Sequence, residues 1–222
     1  MKIILKFSIS ILLIATILGC SNENKTPIEP QVSNSPIAVT AAKVNNQTDK
    51  IKFKSETGAD LFSLKQQADG AKLVDAKEQE IVKIKSEKSG KIKFKNPAEK
   101  TLGYVVIKQG YWKLENSGQN QELYILKKQP DGDYKLEDGT DKEIYQIKPR
   151  ENGLEIFQAN QQLIYKIKVK GGKTALVNPS EKTIFSTKAN ISPIAFACFG
   201  FDVLTREQQA ALAYAVNSTG GQ

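Results

Sequence analysis

Asp60-Leu61-Phe62-Ser63-Leu64-Lys65, followed by Asp69-Gly70, returns 61 to 63 residues later as Glu122-Leu123-Tyr124-Ile125-Leu126-Lys127, followed by Asp131-Gly132. The correspondence runs on: Glu80-Ile81 with Glu143-Ile144, Ile84-Lys85 with Ile147-Lys148, Gly90 with Gly153, Phe94 with Phe157, and Leu102 and Tyr104 with Leu163 and Tyr165. A shared order of apolar residues and glycines over this length marks an internal duplication. Each copy alternates apolar and polar residues in short runs between turn residues, the pattern of half-buried strands.

In the first copy, spanning about 60–115, strands are predicted near 60–65, 71–75, 80–86, 90–95, 102–108 and 111–115. In the second, about 122–177, they fall near 122–128, 133–137, 143–148, 153–158, 162–169 and 173–177. Thr183 to Thr187 reads as the opening of a third copy, and Ile51 and Phe53 within KIKFK as one more strand at the start. Open edges on such a sheet invite pairing with other chains, so twelve or so strands need two packed layers or closure; the expected fold is mainly β, a closed antiparallel barrel of about twelve strands from two six-strand repeats.

A barrel of that size is too wide for its own strand side chains to fill. Ser192-Pro193-Ile194-Ala195-Phe196-Ala197-Cys198-Phe199-Gly200-Phe201 supplies a filler: Ser192 suits an N-cap, Pro193 the first helical position, and the rest is apolar nearly all round. A hydrophobic C-terminal helix through or against the barrel interior is expected. Thr205 and Gln208 then form a capping-box pair opening a second helix, Arg206 to Val216, with an Ala and Leu face to pack and a Gln and Glu face to wet. The helical region spans about 193–217.

Twelve strands in a duplicated meander followed by an apolar helix resemble the tubby-like fold shared by tubby proteins, phospholipid scramblases and LURP-one-related proteins. The run Gly153-Leu154-Glu155-Ile156-Phe157-Gln158-Ala159-Asn160-Gln161-Gln162-Leu163-Ile164-Tyr165-Lys166-Ile167 is similar to the LURP-one pattern of a strand, a short polar turn around Asn and a returning strand. The resemblance covers roughly residues 55 to 217. It implies an association with phosphoinositides or membranes, and it carries over no binding residue one by one.

The chain has 222 residues, 32 Lys+Arg against 24 Asp+Glu, no His and two Cys. Without histidine there is no Ser-His-Asp or Cys-His catalytic arrangement and no HExxH-type metal site. No cofactor or metal is expected, and no Asp or Glu pair stands out from solvated turn residues as a hydrolytic site. The reading is of a protein that is not an enzyme.

The first residues, MKIILKFSISILLIATILGC, read as an export signal, with Lys2 and Lys6 ahead of an apolar stretch from Ile9 to Leu18. Ile17-Leu18-Gly19-Cys20 resembles the bacterial lipobox, with Ile where Leu is usual. That resemblance implies cleavage after residue 19 and acylation of Cys20, giving a lipid-anchored envelope protein. Ser21 after the modified cysteine favours the outer membrane, facing the periplasm, over the inner one. Residues 20–49, polar and holding Pro27, Pro30 and Pro36, read as a flexible tether with a root-mean-square reach of about 30 Å. Residues 50–222 then make a single barrel domain.

The charge is uneven. Residues 50–113 carry 15 basic and 8 acidic side chains, and residues 114–182 carry 11 of each. Within the basic part, Lys83, Lys85, Lys91, Lys93 and Lys95 occupy alternate positions of two consecutive strands, with Val82, Ile84, Ile92 and Phe94 on the other face. A hairpin turn at Ser86 to Gly90 puts all five ammonium groups on one outward surface, which Lys52 and Lys54 extend. Such a surface suits the anionic head groups of phospholipid or lipopolysaccharide. The alternative is a solvated face whose lysines discourage edge pairing. The second copy carries Gln146, Glu155 and Gln158 outward at the corresponding strands, so the fold does not require lysine there.

Nucleic acid is a poor partner for this surface, because Arg150 and Arg206 are the chain's arginines and the aromatics fall mostly on inward positions. The acidic run from Asp131 to Asp141 lacks EF-hand spacing and reads as a hairpin turn. Cys198 reads as a small buried hydrophobe and Trp112 as core. The expected partners are a membrane, through the N-terminal anchor, and an anionic lipid or an envelope protein.

Overall fold

The computed structural model of the chain describes residues 50–221; the expected export signal, Cys20 and the expected tether lie outside them. Seven strands form the first half of the sheet: β1 (Lys50–Lys54), β2 (Asp60–Gln67), β3 (Gly70–Asp75), β4 (Glu80–Ser86), β5 (Lys91–Lys95), β6 (Thr101–Lys108) and β7 (Tyr111–Asn116). Seven more follow: β8 (Glu122–Lys128), β9 (Tyr134–Asp138), β10 (Glu143–Arg150), β11 (Gly153–Gln158), β12 (Leu163–Lys170), β13 (Lys173–Val177) and β14 (Thr183–Thr187). Each pairs antiparallel with its sequence neighbour, and β1 meets β14, closing the barrel.

The barrel thus has fourteen strands where the duplication alone suggested about twelve. The difference has a structural cause. At the turns after β1, β3, β5, β7, β9, β11 and β13, the sheet register slips by one residue, and the extra residue is Leu61, Ile81, Leu102, Leu123, Ile144, Ile164 or Ile184. The unit is a bulged hairpin of about twenty residues. Three hairpins make one copy of the long repeat, and the leftover strands β1 and β14 complete the circle. A bulge bends its strand and sharpens the local twist, which curls a long meander round on itself.

The turns after these seven strands share a closing bond and a left-handed residue, six of them spanning five residues and the one after β7 six. In the first residue's N–H to last residue's C=O bond, Asp75 donates to Gln79 at 2.9 Å, Asp138 to Lys142 at 3.0 Å and Asn178 to Lys182 at 3.0 Å. The fourth residue takes a left-handed backbone each time: Gly58, Glu78, Glu99, Gln119, Asp141, Gln161 and Glu181, with φ between 56° and 88°. One of these seven is glycine. The others tolerate the strain because side chains brace the turn, as when Asp75 Oδ1 accepts from the N–H groups of Lys77 and Gln79, both at 2.8 Å.

Helix α1 (Pro193–Ala197) runs into a 3-10 turn, Cys198–Gly200, and α2 spans Arg206–Ser218. Ser192 caps α1, accepting from the Ala195 N–H at 3.3 Å. The capping box of α2 forms as the sequence suggests: the Gln208 N–H donates to Thr205 Oγ1 at 3.3 Å and the Thr205 N–H to Gln208 Oε1 at 2.9 Å. Its wet face is narrower than expected, since Gln209 is buried with Ala210 to Ala213, Ala215 and Val216.

Strands and helices share one continuous apolar core. Contacts of α1 fall on β11, β12 and β13, those of α2 on β3 to β7. Phe53, Phe62, Phe185, Phe196 and Phe199 stack together, with ring centroids 4.4 Å apart for Phe53 and Phe62 and 4.6 Å for Phe53 and Phe199. The loop between the helices is tied to the strands by Tyr124, donating to the Val203 carbonyl at 3.3 Å, and by Tyr165, donating to Asp202 Oδ2 at 2.9 Å.

Candidate functional site

The five lysines singled out in the sequence do share one surface. Lys83 and Lys85 lie on β4, Lys91, Lys93 and Lys95 on β5, and the register sets Lys83 directly opposite Lys95 and Lys85 opposite Lys93. The row continues across the sheet, because Lys83 faces Lys72, Lys72 faces Lys65 and Lys65 faces Lys50. Like charges directly opposite one another destabilise a sheet. Five in a row demand compensation.

The compensation comes from the turns. Glu99, on its left-handed backbone, takes Lys83 at 2.7 Å and Lys95 at 3.1 Å. Glu78, at the same place one hairpin earlier, takes Lys50 at 2.5 Å together with Lys65, and Glu80 takes Lys72 at 2.7 Å. Lys93 pairs with Glu87, Lys85 lies 3.9 Å from Asp69, and Lys91 lies 3.5 Å from Glu115 and 2.6 Å from Gln119 Oε1. Lys93 also sits over the Tyr104 ring, 5.3 Å from its centroid.

The electrostatics follow this pairing. The hydrogen bonds from Lys83 and Lys95 hold the Glu99 carboxyl down at about 2, from an ordinary 4.5, and those from Lys50 and Lys65 do the same for Glu78. Conversely Glu99 holds Lys83, and Glu87 holds Lys93, above the usual ammonium range. What reads in sequence as a bare cationic face is a lattice of exposed ion pairs. Such pairs contribute little stability each and are screened by salt, so an anionic surface can take the lysines over at small cost.

The duplication shows how the lattice is built. Lys83 corresponds to Gln146 and Glu99 to Gln161, and Gln161 Nε2 donates to Gln146 Oε1 at 3.3 Å. An ion pair in one copy is an amide pair in the other, so the contact between turn and strand is kept while its charge is not. The carboxylate partners escaped the sequence reading because they lie up to 28 residues away on turns whose left-handed residue carries no glycine signal. A twenty-residue period of Leu or Ile would have located them.

The remaining candidates take structural positions. Trp112 is fully buried and its Nε1–H donates to Thr219 Oγ1 at 3.1 Å. Cys198 is fully buried, its Sγ–H donating to the Ile194 carbonyl at 3.3 Å, and burial pushes the thiol far above its ordinary range. Asp131 braces a turn, accepting from the Asp133 N–H at 3.0 Å beside Gly132 at φ 92°. Cys20, the expected lipidation site, is outside the described residues.

No family model matches the chain, and no curated protein matches it. Among solved structures, a protein from Arabidopsis thaliana is similar at 12% identity with a TM-score of 0.39, covering 71% of this chain and 90% of that one. An alternansucrase in complex with isomaltononaose is similar at 14% identity with a TM-score of 0.19, covering 60% of this chain and 12% of that one. At these scores the fold rests on the strand register and the core described above.

Proposed function

We propose that the chain is an exported, lipid-anchored barrel of the tubby-like type that works without catalysis, by holding an anionic lipid surface against its outer wall. The anchor is the acylated Cys20, and the compartment is the cell envelope, at the outer membrane and facing the periplasm. The C-terminal helices fill the barrel interior in this reading, which leaves binding to the outside. The observation that carries it is the in-register lysine row on β1 to β5, where the second copy sets Gln146 against Phe157 at the place of Lys83 against Lys95, the register putting Phe157 one residue off its sequence match with Phe94. The fold does not call for those charges, and each surface lysine near an anionic bilayer contributes about 1 kcal/mol to attachment.

A test is co-sedimentation of residues 45–222, which include the whole described barrel, with phosphatidylglycerol vesicles. Replacing Lys83, Lys85, Lys91 and Lys93 together with Gln is expected to lower the bound fraction at low salt. Binding unchanged by the four substitutions would remove this face from the account. A second reading, docking of an envelope protein, is favoured by Leu61, Ile184 and Val203, which are exposed large apolar side chains. It predicts attachment that survives high salt.

A further inference from the structure

A second lysine row crosses the barrel at its seam, and it lacks the compensation that the first one has. Lys170 faces Lys173 across β12 and β13. Thr174 faces Thr187, so the next outward pair along the same two segments is Lys173 with Lys188. On the other side Lys54 faces Ser186, which brings Lys52 level with Lys188. Lys170, Lys173, Lys188 and Lys52 therefore stand in one row, all exposed. Among the described residues none of the four is in an ion pair.

The hairpin repeat provides controls at matched positions. Lys173 and Lys188 correspond to Lys50 and Lys65, which share Glu78, and Lys188 also to Lys127, which holds Glu137 at 2.5 Å and Asp141 at 3.3 Å. Lys52 corresponds to Lys113, which lies 3.5 Å from Glu115 and 3.1 Å from Glu122. The clamp that is missing at the seam has an identifiable cause. The left-handed residue that would supply it belongs to the turn after β1, and there the chain has Gly58 where the other hairpins carry Glu, Gln or Asp.

The seam is also the loosest joint of the barrel. β1 and β14 register through the single pair Lys54 and Ser186, whereas β2 and β3, at the matching place, register through six. The resulting groove is lined by Lys52, Lys173 and Lys188 together with the ion-paired Lys50 and Lys54, with Glu56 as its one lining carboxylate. Strand spacing of 4.7–4.9 Å where the strands pair, and no less across the groove, spreads the four ammonium groups over at least about 15 Å, a linear array suited to several phosphates on a surface rather than to one small anion. Lys52 lies two residues from Lys50, where the N-terminal segment joins the barrel.

We infer that the seam row Lys52, Lys170, Lys173 and Lys188 is a binding site for the phosphate head groups of an anionic lipid surface. This rests on the anionic-surface reading and names the residues and ligand class that serve it. Asp60, paired with Lys54, attracts Lys52 without an ion pair, so repulsion along the row is only partly offset, and bound phosphates remove the rest. By the per-lysine contribution near a charged bilayer, each Lys→Gln change in the row weakens attachment about fivefold.

The test is lysine acetylation footprinting of the full chain in neutral detergent micelles, with and without doped phosphatidylglycerol, read residue by residue by mass spectrometry. The expected result is slower acetylation of Lys52, Lys170, Lys173 and Lys188 in the anionic micelles, reversed by salt. Gly58→Glu should restore the missing clamp and lose that lipid-dependent protection, while Gly58→Gln, alike in shape and backbone strain, should keep it. Protection confined to Lys83, Lys85, Lys91, Lys93 and Lys95 would overturn the seam site and leave the anionic-surface reading standing. Absence of protection at every lysine would overturn both. Equal protection by inorganic phosphate in undoped micelles would overturn the lipid assignment in favour of a soluble anion.

Discussion

Glu78 and Glu99 each occupy a left-handed backbone position that favours glycine, and each uses it to reach two lysines on neighbouring strands. Both carboxyls titrate at about 2 in the folded barrel against an ordinary 4.5. A depressed folded value means that the unfolded chain binds the proton first as pH falls. Their contribution is therefore complete above about 4.5 and is lost as the pH falls toward about 2. Thermal melts across this window should show stability falling, and Glu78→Gln with Glu99→Gln should flatten the fall by lowering the neutral-pH melt toward the parent chain's acid value, the fold being kept because Gln161 already fills the equivalent place in the second copy. An acid limb unaffected by the double substitution would mean that these pairs do not form in solution. None of this was legible beforehand: a Glu in a polar turn carries no mark of the lysine it will meet.

At the level of elements, the strands and both helix starts were readable because period-2 alternation and capping residues are local signals. The hairpin period was hidden behind the longer duplication, since only the bulged Leu or Ile recurs at every unit while the turns range from SETGA to QANQQ. The strand total therefore fell short by β1 and β14, each visible singly and neither recognisable as the closing pair without knowledge of which edge meets which. Helix α2 is alanine-rich for a steric reason, as Ala210, Ala211, Ala213 and Ala215 are wholly inaccessible to solvent. Ala213→Leu should accordingly destabilise the barrel by about 1–3 kcal/mol through overpacking. Chemical denaturation would measure it, and an unchanged midpoint would imply spare room around α2.

For the molecule as a whole, two lysine rows of similar appearance in sequence differ in what surrounds them. The row on β1 to β5 is compensated by Glu78, Glu80 and Glu99, while the seam row makes no ion pair among the described residues, Gly58 standing where the clamping residue would be. The first was found by reading alternate lysines along two strands. The second needs the register between opposite ends of the chain, which only the closed barrel provides. The basic first half is thus a wall whose lysine row is tied into ion pairs, with a second line of lysines outside any ion pair among the described residues, close in sequence to where the N-terminal segment joins Lys50. The most direct check on this account is the attachment of residues 45–222 to phosphatidylglycerol vesicles and to phosphatidylcholine vesicles as salt is raised. The account predicts binding to the anionic vesicles that falls steeply with salt and little binding to the neutral ones; equal, salt-insensitive binding to both would contradict it.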